Sequence, residues 1–275
     1  MVSHFCKVAG VSRQGYYNYF SAKQVERRKD QEIKDEALRD LVLKAYNFKN
    51  RKKGARQIKM VLAGQFGVVF NLKRIRRIMK KYGIESPFRR ENPYKRIMKA
   101  TQEHKVVPNL LNREFKQGIP YKVLLTDITY LYFGKGKRAY LSTIIDASTN
   151  EVLAHQVSDR VTLDIATDTL KKLKKNRRIK LAKGGHYTSP VYQKLVKKFR
   201  LGQSMSRRGN CWDNAPQESF FGHFKDLADI KSCETFEELK QEVKAAIHYY
   251  NHYRYQWNMK KMTPVQYRDH LLKSA

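Results

Sequence analysis

Apolar residues recur at helical spacing through the first part of the chain. Near the N-terminus, Gly10 ends one short helical pattern and Ser12 is placed to cap the next. A long polar helix from Gln24 to Tyr46 follows. Residues 49–97 then repeat the helix-turn-helix arrangement on two apolar stripes, which are Ile58, Val61 and Leu62, and Leu72, Ile75, Ile78 and Met79. This part of the chain is therefore predicted to be helical.

From Tyr121 the pattern becomes extended. The run YKVLLTDITYLYF is apolar on both faces, which is typical of a central strand, and RAYLSTIIDAS and EVLAHQVSD complete a three-stranded meander. The following helix, TLDIATDTLKKLKKN, would turn Leu163, Ala166, Leu170 and Leu173 inward. A meander followed by a helix is how an RNase H-like α/β domain begins, and we predict a mixed sheet flanked by helices.

Two later segments, TSPVYQKLVKKF and NAPQESFFGHFKDLA, are predicted to be helices. In the second, Asn214 is placed to cap the helix and Pro216 suits its first turn. An RNase H-like fold needs a parallel strand before the first of these helices. The sequence offers only the short run IKLA there, so one core strand is predicted to be missing.

The composition points to a polyanionic partner. The 275 residues contain 57 Lys and Arg against 25 Asp and Glu, a net charge of +32, and 41% of them are hydrophobic, enough for a core. Nucleic acid is therefore the expected partner. The three cysteines have no metal-ligand or disulfide spacing, and the sequence has no apolar run long enough to cross a membrane, so a cytoplasmic, nucleoid-associated protein is expected.

One basic helix face is the strongest candidate for DNA contact. Between Asn50 and Lys99 the only acids are Glu85 and Glu91. The expected contacts are Lys73, Arg74, Arg76, Arg77, Lys80 and Lys81, joined by Arg207, Arg208 and Lys225 farther along the chain.

Two carboxylates are candidates for chemistry. Asp127 lies inside the most apolar strand, where a charge needs a cationic neighbour, either a Lys or Arg or a divalent metal. Glu218 lies in the first turn of a helix, where it could complement the helix dipole or bind metal. Lys225 is two turns farther along the same helix face.

Several motifs together resemble the B-frame (orfB-type) transposase of a bacterial insertion sequence, in the retroviral-integrase-like DDE superfamily. They are LLTDITYL, HYTSPVYQKL, QSMSRRGNCWDNAPQESFFGHFK, YYNHYRYQWN and MTPVQY, and the likeness runs nearly from end to end. The resemblance implies an enzyme that joins transposon 3′ ends to target DNA with two Mg²⁺ or Mn²⁺ ions on three carboxylates. Asp127 matches the first carboxylate and Glu218 the third.

The second carboxylate of that pattern is absent. The resemblance places it in a buried strand 36 positions before Glu218, where this sequence has Ala182. There is no Asp or Glu between Asp168 and Asp213, so a short deletion that removed both the strand and the acid is the interpretation we favour. The expected consequences are weak metal binding and impaired catalysis.

Two other interpretations remain open. The chain could be a non-catalytic DNA-binding subunit that inhibits an intact transposase. Alternatively, Asp213 or Asp146 could replace the missing ligand, although structural roles suit both better. His186 is expected to pack or to contact DNA, because Mg²⁺ prefers carboxylates.

The resemblance also implies double-stranded transposon-end and target DNA as partners, a homo-oligomer, and a possible helical partner from an upstream reading frame. The patterns divide the chain into an N-terminal helical segment with a partial helix-turn-helix (1–48), a basic helix-turn-helix module (49–97), a linker (98–118), an RNase H-like integrase core (119–233) and a C-terminal helical region (234–275).

Overall fold

The computed structural model describes residues 2–86, 118–160, 162–175 and 214–274. The chain divides into two compact units, residues 1–88 and residues 89–275, and each is described by itself. No helix within these described ranges is long and apolar enough to cross a membrane.

The first unit is helical, as the sequence predicts. Its helices are α1 (Val2–Val8), α2 (Arg13–Tyr19), α3 (Ala22–Asn47), α4 (Ala55–Phe66) and α5 (Leu72–Lys81). Gly10 has a positive φ of 66° after α1, and the Ser12 hydroxyl caps α2 by accepting a hydrogen bond from the Gly15 backbone at 2.9 Å. The predicted end of the first helix before Gly10 and the predicted cap of the second helix by Ser12 are therefore confirmed.

The core of this unit lies between α3, α4 and α5. The two apolar stripes are confirmed except at Leu72, which is only partly buried; the buried members are Ile58, Val61, Leu62, Ile75, Ile78 and Met79. They are joined by Leu38, Val42 and Ala45 of α3. Between α3 and α4, Lys53 is almost completely buried and donates to the carbonyl oxygens of Phe48 and Arg51.

The second unit contains an antiparallel meander of β1 (Leu124–Phe133), β2 (Lys137–Asp146) and β3 (Val152–Ser158), in the order β1-β2-β3. The predicted meander is confirmed, and β2 is the middle one of the three strands that the structure describes. The prediction that β1 is a central strand of the whole sheet also concerns residues outside the described ranges, so it stays a prediction. The first residues of β1 are buried on both faces, because helices cover both faces of the sheet there.

These helices make the unit three layers thick. On one face, α6 (Leu163–Lys175) packs Ala166, Leu170 and Leu173 against Leu124 and Ile144. On the other, α7 (Ala215–Leu227) and α8 (Phe236–His252) pack against Leu125, Leu141 and Ile145. Odd positions of β1 therefore lie on the α7 face and even positions on the opposite face, where Leu124 packs against α6 and Tyr130 and Tyr132 are exposed.

The C-terminal region fastens the sheet through two polar contacts. The Asn251 side chain accepts from the Val152 backbone N–H at 3.0 Å and donates to its carbonyl oxygen at 2.9 Å, which mimics a neighbouring strand. In α9 (Pro264–Lys273), the Arg268 guanidinium donates to buried Glu151 at 2.6 Å. The motif YYNHYRYQWN thus includes a residue that binds β3.

Several sequence predictions lie outside the described residues. These are the Arg177–Val196 stretch with the gap at Ala182, the helix predicted for TSPVYQKLVKKF, and Arg207, Arg208, Asp213 and His186. The Leu163 side chain is also outside them.

Candidate active site and DNA-contact surface

Asp127 lies at the middle of β1 on the face that α7 covers. Its partner across the ladder is Thr143 of β2, whose hydroxyl accepts a hydrogen bond from the Gln217 side chain of α7. Gln217 and Thr143 are completely buried, whereas Asp127 is half-buried. The strand pairing and this hydrogen bond together bring the first turn of α7 close to Asp127.

Asn214, just before α7, contacts Asp127 directly. Its side-chain Nδ2 donates to Asp127 Oδ2 at 3.1 Å, and the Asn214 side chain makes no capping hydrogen bond to its own helix. The prediction that Asn214 caps α7 is therefore wrong, because the carboxylate captures its amide. Pro216 does occupy the first turn as predicted. The cap signal alone could not reveal a contact between residues 87 positions apart.

The pKa of Asp127 is raised, first by burial and then by repulsion from the negative charge of Glu218. Hydrogen bonds from the Ile128 backbone N–H, at 2.8 Å, and from Asn214 act in the opposite direction. The two predicted carboxylates are thus close enough to interact electrostatically. A cation between them would relieve both the burial cost and the repulsion.

The neighbourhood of these acids has a surplus of hydrogen-bond acceptors. Within the described residues, Asn214 Oδ1 and Gln217 Oε1 are buried and have no hydrogen-bond partner. No group of three or more His, Cys, Asp or Glu side chains suited to a metal is found in those residues. Among the described residues, the oxygen atoms near Asp127 that could bind a metal ion are therefore those of two carboxylates and of neutral side-chain amides.

Asp146 does not belong to this site. It pairs with Leu124 across the β1–β2 ladder, so its side chain is on the α6 face, opposite to Asp127. Its carboxylate accepts from the Thr149 hydroxyl at 2.7 Å and from the Ser148 backbone at 3.2 Å, which caps the turn after β2. The structural role expected of Asp146 is confirmed.

The six basic residues of α5 are not equivalent. Lys73, Arg76 and Lys80 follow one another at three- and four-residue spacing on the face opposite buried Ile75 and Ile78. These three, the outward stripe, form no ion pair with any side chain that the structure describes. In addition, Arg74 lies 5.0 Å from the ring centroid of Phe70.

Arg77 and Lys81 instead belong to an ion cluster with α3. Arg77 binds both carboxylate oxygens of Asp35, at 2.7 and 2.5 Å, and Lys81 binds Asp35 at 3.0 Å and Glu32 at 2.5 Å. The Asp35 side chain is only 1% exposed, and the Arg77 hydrogen bonds hold its pKa well below the ordinary value. These contacts span more than 40 positions of sequence, so no local pattern indicated that Asp35 fixes α5 to α3.

Lys225 is exposed on α7, seven residues after Glu218 as the sequence indicated. The structure does not describe Arg207, Arg208 or the expected position of the middle carboxylate at Ala182. Their roles therefore stay predictions.

Three regions of the chain match family models. Residues 118–211 and 218–272 each match an integrase core domain model, and residues 32–92 match an HTH-like domain model. The meander followed by α6 lies within the first of these regions. The RNase H-like fold class expected from the sequence is confirmed.

Curated relatives match most of the chain. An uncharacterized transposase-like protein of Haemophilus influenzae is 34% identical over 74% of this chain and 96% of its own length. The putative transposase InsK for IS150 of Escherichia coli is 36% identical over 59% of each chain, so the chain spans less than two thirds of that relative. An uncharacterized 31 kDa protein of the IS600 element of Shigella sonnei is 30% identical over 80% of each.

Two similar solved structures are viral. The HTLV-2 integrase catalytic core in complex with magnesium has a TM-score of 0.42 at 16% identity, covering 55% of this chain and 97% of that one. A simian T-cell lymphotropic virus intasome, in complex with a regulatory subunit of PP2A, has a TM-score of 0.47 at 15% identity, covering 78% and 70%.

Proposed function

The chain belongs to the integrase-core transposases of insertion sequences, and from that premise we propose that it binds transposon-end DNA and carries the remnant of a strand-transfer site on Asp127 and Glu218. In this proposal the protein works inside the cell as an oligomer on paired DNA ends. Domain limits follow the sequence division, with the core at residues 119–233. A helical partner from an upstream reading frame is part of the same proposal.

The observation that carries the proposal is the position of Asp127 beside the first turn of α7. Burial and a second carboxylate both raise the pKa of Asp127, which means that its negative charge is unfavourable without a cation nearby. Active sites that bind divalent cations have this arrangement, because the ion compensates both charges. The Asn214 side-chain oxygen is buried and has no hydrogen-bond partner among the described residues, which also fits a hard cation that prefers oxygen ligands.

Asp127 and Glu218 would hold Mg²⁺ or Mn²⁺ in this site. The bound ion would supply Lewis-acid activation of the attacking hydroxyl and the scissile phosphate. The chain's own contribution is to fix Asp127 through the Ile128 backbone and Asn214, and to keep α7 in place through Gln217. Lys225, Arg207 and Arg208 are proposed to bind the DNA phosphates near this site.

We propose that catalysis in this copy is impaired. The transposases that this sequence resembles use a third carboxylate, and this sequence has Ala182 at the position where that carboxylate is expected. Loss of a metal ligand removes transition-state stabilisation, and each ~1.36 kcal/mol lowers the rate tenfold. We therefore expect weak metal binding and almost no strand transfer.

The N-terminal module is proposed to bind DNA through the outward stripe. Lys73, Arg76 and Lys80 have no ion pair in the part that the structure describes, and they project from one helix face. Arg74 extends this surface. Arg77 and Lys81 are proposed to contribute less to DNA binding, because Asp35 and Glu32 already compensate their charges.

The test of the catalytic assignment starts from a variant in which the missing strand and its aspartate are inserted after Gly184. We expect this restored variant to join pre-cleaved transposon-end DNA in Mn²⁺, and we expect Asp127→Asn or Glu218→Gln in the restored variant to abolish joining. The matched control is Ser219→Ala, an exposed residue of α7. Joining by the restored Asp127→Asn variant at an undiminished rate would overturn the assignment.

Co-expression with an intact relative tests the alternative role as an inhibitor. An inhibitor lowers the transposition frequency of the intact enzyme, and this effect must disappear when the outward stripe is replaced by glutamine. An inert remnant leaves the frequency unchanged.

A further inference from the structure

Asn214 occupies the N-cap position of α7 without acting as a cap. Asparagine at this position ordinarily accepts a hydrogen bond from a backbone N–H of the first turn. Here the side chain makes no such bond and reaches across to Asp127 Oδ2 instead. The fold therefore directs this amide toward the carboxylate and away from its own helix.

The other end of the same amide lacks a partner. Asn214 Oδ1 is buried, and no donor reaches it within the described residues. Gln217 Oε1, one turn along α7, is in the same condition. A buried acceptor without a donor is unfavourable, and native structures that contain one often lack an ion or water that binds there. The start of α7 therefore carries two neutral oxygens that no described donor uses, and one of them belongs to an amide in contact with Asp127.

We propose that Asn214 is itself a ligand of the divalent cation that Asp127 and Glu218 bind. Rotation of the amide group exchanges Nδ2 for Oδ1, so that the oxygen faces the same ion as Asp127 Oδ2. Amide oxygens are ordinary ligands of hard divalent cations. The inference rests on the proposed function, since it takes the two carboxylates as the other ligands.

With Asn214 as a ligand, the cation is bound by two carboxylates and one amide oxygen. Asn214 supplies an oxygen but no charge, so the ion is held more weakly than by three acids. The Nδ2–H hydrogen bond to Asp127 is then the state of the site without a cation. Replacement of Asn214 by aspartate adds a charged oxygen ligand at the same position.

Binding of Mn²⁺ to the full chain tests the inference without any dependence on activity. Free Mn²⁺ is measured by electron paramagnetic resonance during titration of the unaltered protein, Asn214→Ala, Asn214→Leu and Asn214→Asp, with Ser219→Ala as the control. We expect the alanine and leucine variants to weaken binding at least tenfold, the aspartate variant to strengthen it, and the control to leave it unchanged. Circular dichroism establishes that each variant is folded, and leucine is included because it keeps the branched shape of asparagine without an oxygen.

The opposite outcome follows if Asn214 only donates a hydrogen bond to Asp127. Its N–H then competes with the cation, so removal of the amide leaves Mn²⁺ affinity unchanged or raises it, which would overturn the inference. Asp127→Asn and Glu218→Gln separate this failure from that of the proposed function. If neither weakens binding, the proposed metal site is wrong; if both weaken it and the alanine and leucine variants do not, only the role of Asn214 is wrong.

Discussion

The division of the basic residues of α5 into two groups predicts how DNA affinity depends on salt. The outward stripe of Lys73, Arg76 and Lys80 is proposed to contact phosphates, whereas Arg77 and Lys81 are held by acids of α3. Each phosphate contact contributes about −0.9 to the slope of log affinity against log salt concentration. The slope therefore counts how many of these side chains displace counterions.

We compare a triple glutamine variant of the outward stripe with a double glutamine variant of Arg77 and Lys81. If each stripe residue contacts one phosphate, the triple variant has a slope shallower by about 2.7. Over a fourfold change of salt concentration, this difference amounts to about 40-fold in relative affinity. The double variant is expected to leave the slope nearly unchanged.

Fluorescence anisotropy of a short labelled duplex, titrated with the full chain at several salt concentrations, measures these slopes. Random-sequence DNA is sufficient, because this contribution does not depend on sequence. Amide hydrogen exchange across α3 and α5 is the companion measurement. The double variant should lose protection there, since Asp35 is left buried without its cationic partners and keeps only the Gln31 amide as a side-chain donor. Equal slope changes per substituted residue in the two variants would refute the distinction.

Three further predictions concern stability and pH. Asn251→Ala leaves the Val152 N–H and carbonyl without their side-chain partner. Urea unfolding followed by circular dichroism should therefore show that the free energy of unfolding falls by about 2–5 kcal/mol. A decrease below about 1 kcal/mol would contradict the role of Asn251 in holding β3. Burial lowers the pKa of Lys53 from 10.5 to about 8, so the unfolded chain binds more protons than the folded chain between these pH values. The free energy of unfolding of the first unit should therefore rise by up to about 3 kcal/mol as pH increases from 8 to 10.5. Hydrogen exchange of α3–α5 in the full chain measures that rise, which Lys53→Met must lack. Arg268→Met should cost about 3–5 kcal/mol by leaving Glu151 buried and unpaired, and a Glu151→Gln, Arg268→Met double variant should recover part of the loss; no recovery would exclude the unpaired charge as the cause.

Patterns with a local cause predicted the fold well. The stripes at Ile58 and Ile75 indicated two packed helices because helical spacing alone decides which residues share a face. The extended pattern from Tyr121 predicted the meander in a similar way, because successive residues of a strand point to opposite faces of the sheet. The central position predicted for β1 stays a prediction, because burial of both faces reports the layers above and below a strand and not its neighbours in the sheet.

Contacts between distant residues could not be read in the same way. Asn214 has the sequence of a helix cap, and only the approach of β1 to α7 turns its amide toward Asp127. Asp35 lies in a polar helix rich in charges, and nothing local distinguishes it from its neighbours before Arg77 is brought beside it. The family resemblance predicts that Asp127 and Glu218 form one site, and this stays a proposal. The structure adds that the negative charge of Glu218 contributes to the raised pKa of Asp127.

The most direct test of the central claim is strand transfer in Mn²⁺ with pre-cleaved transposon-end DNA, using the chain as it stands beside the restored variant. We predict that both bind the DNA and that only the restored variant joins it to target. Joining by the unaltered chain at a comparable rate would contradict the claim, because another residue would then supply the ligand that Ala182 lacks.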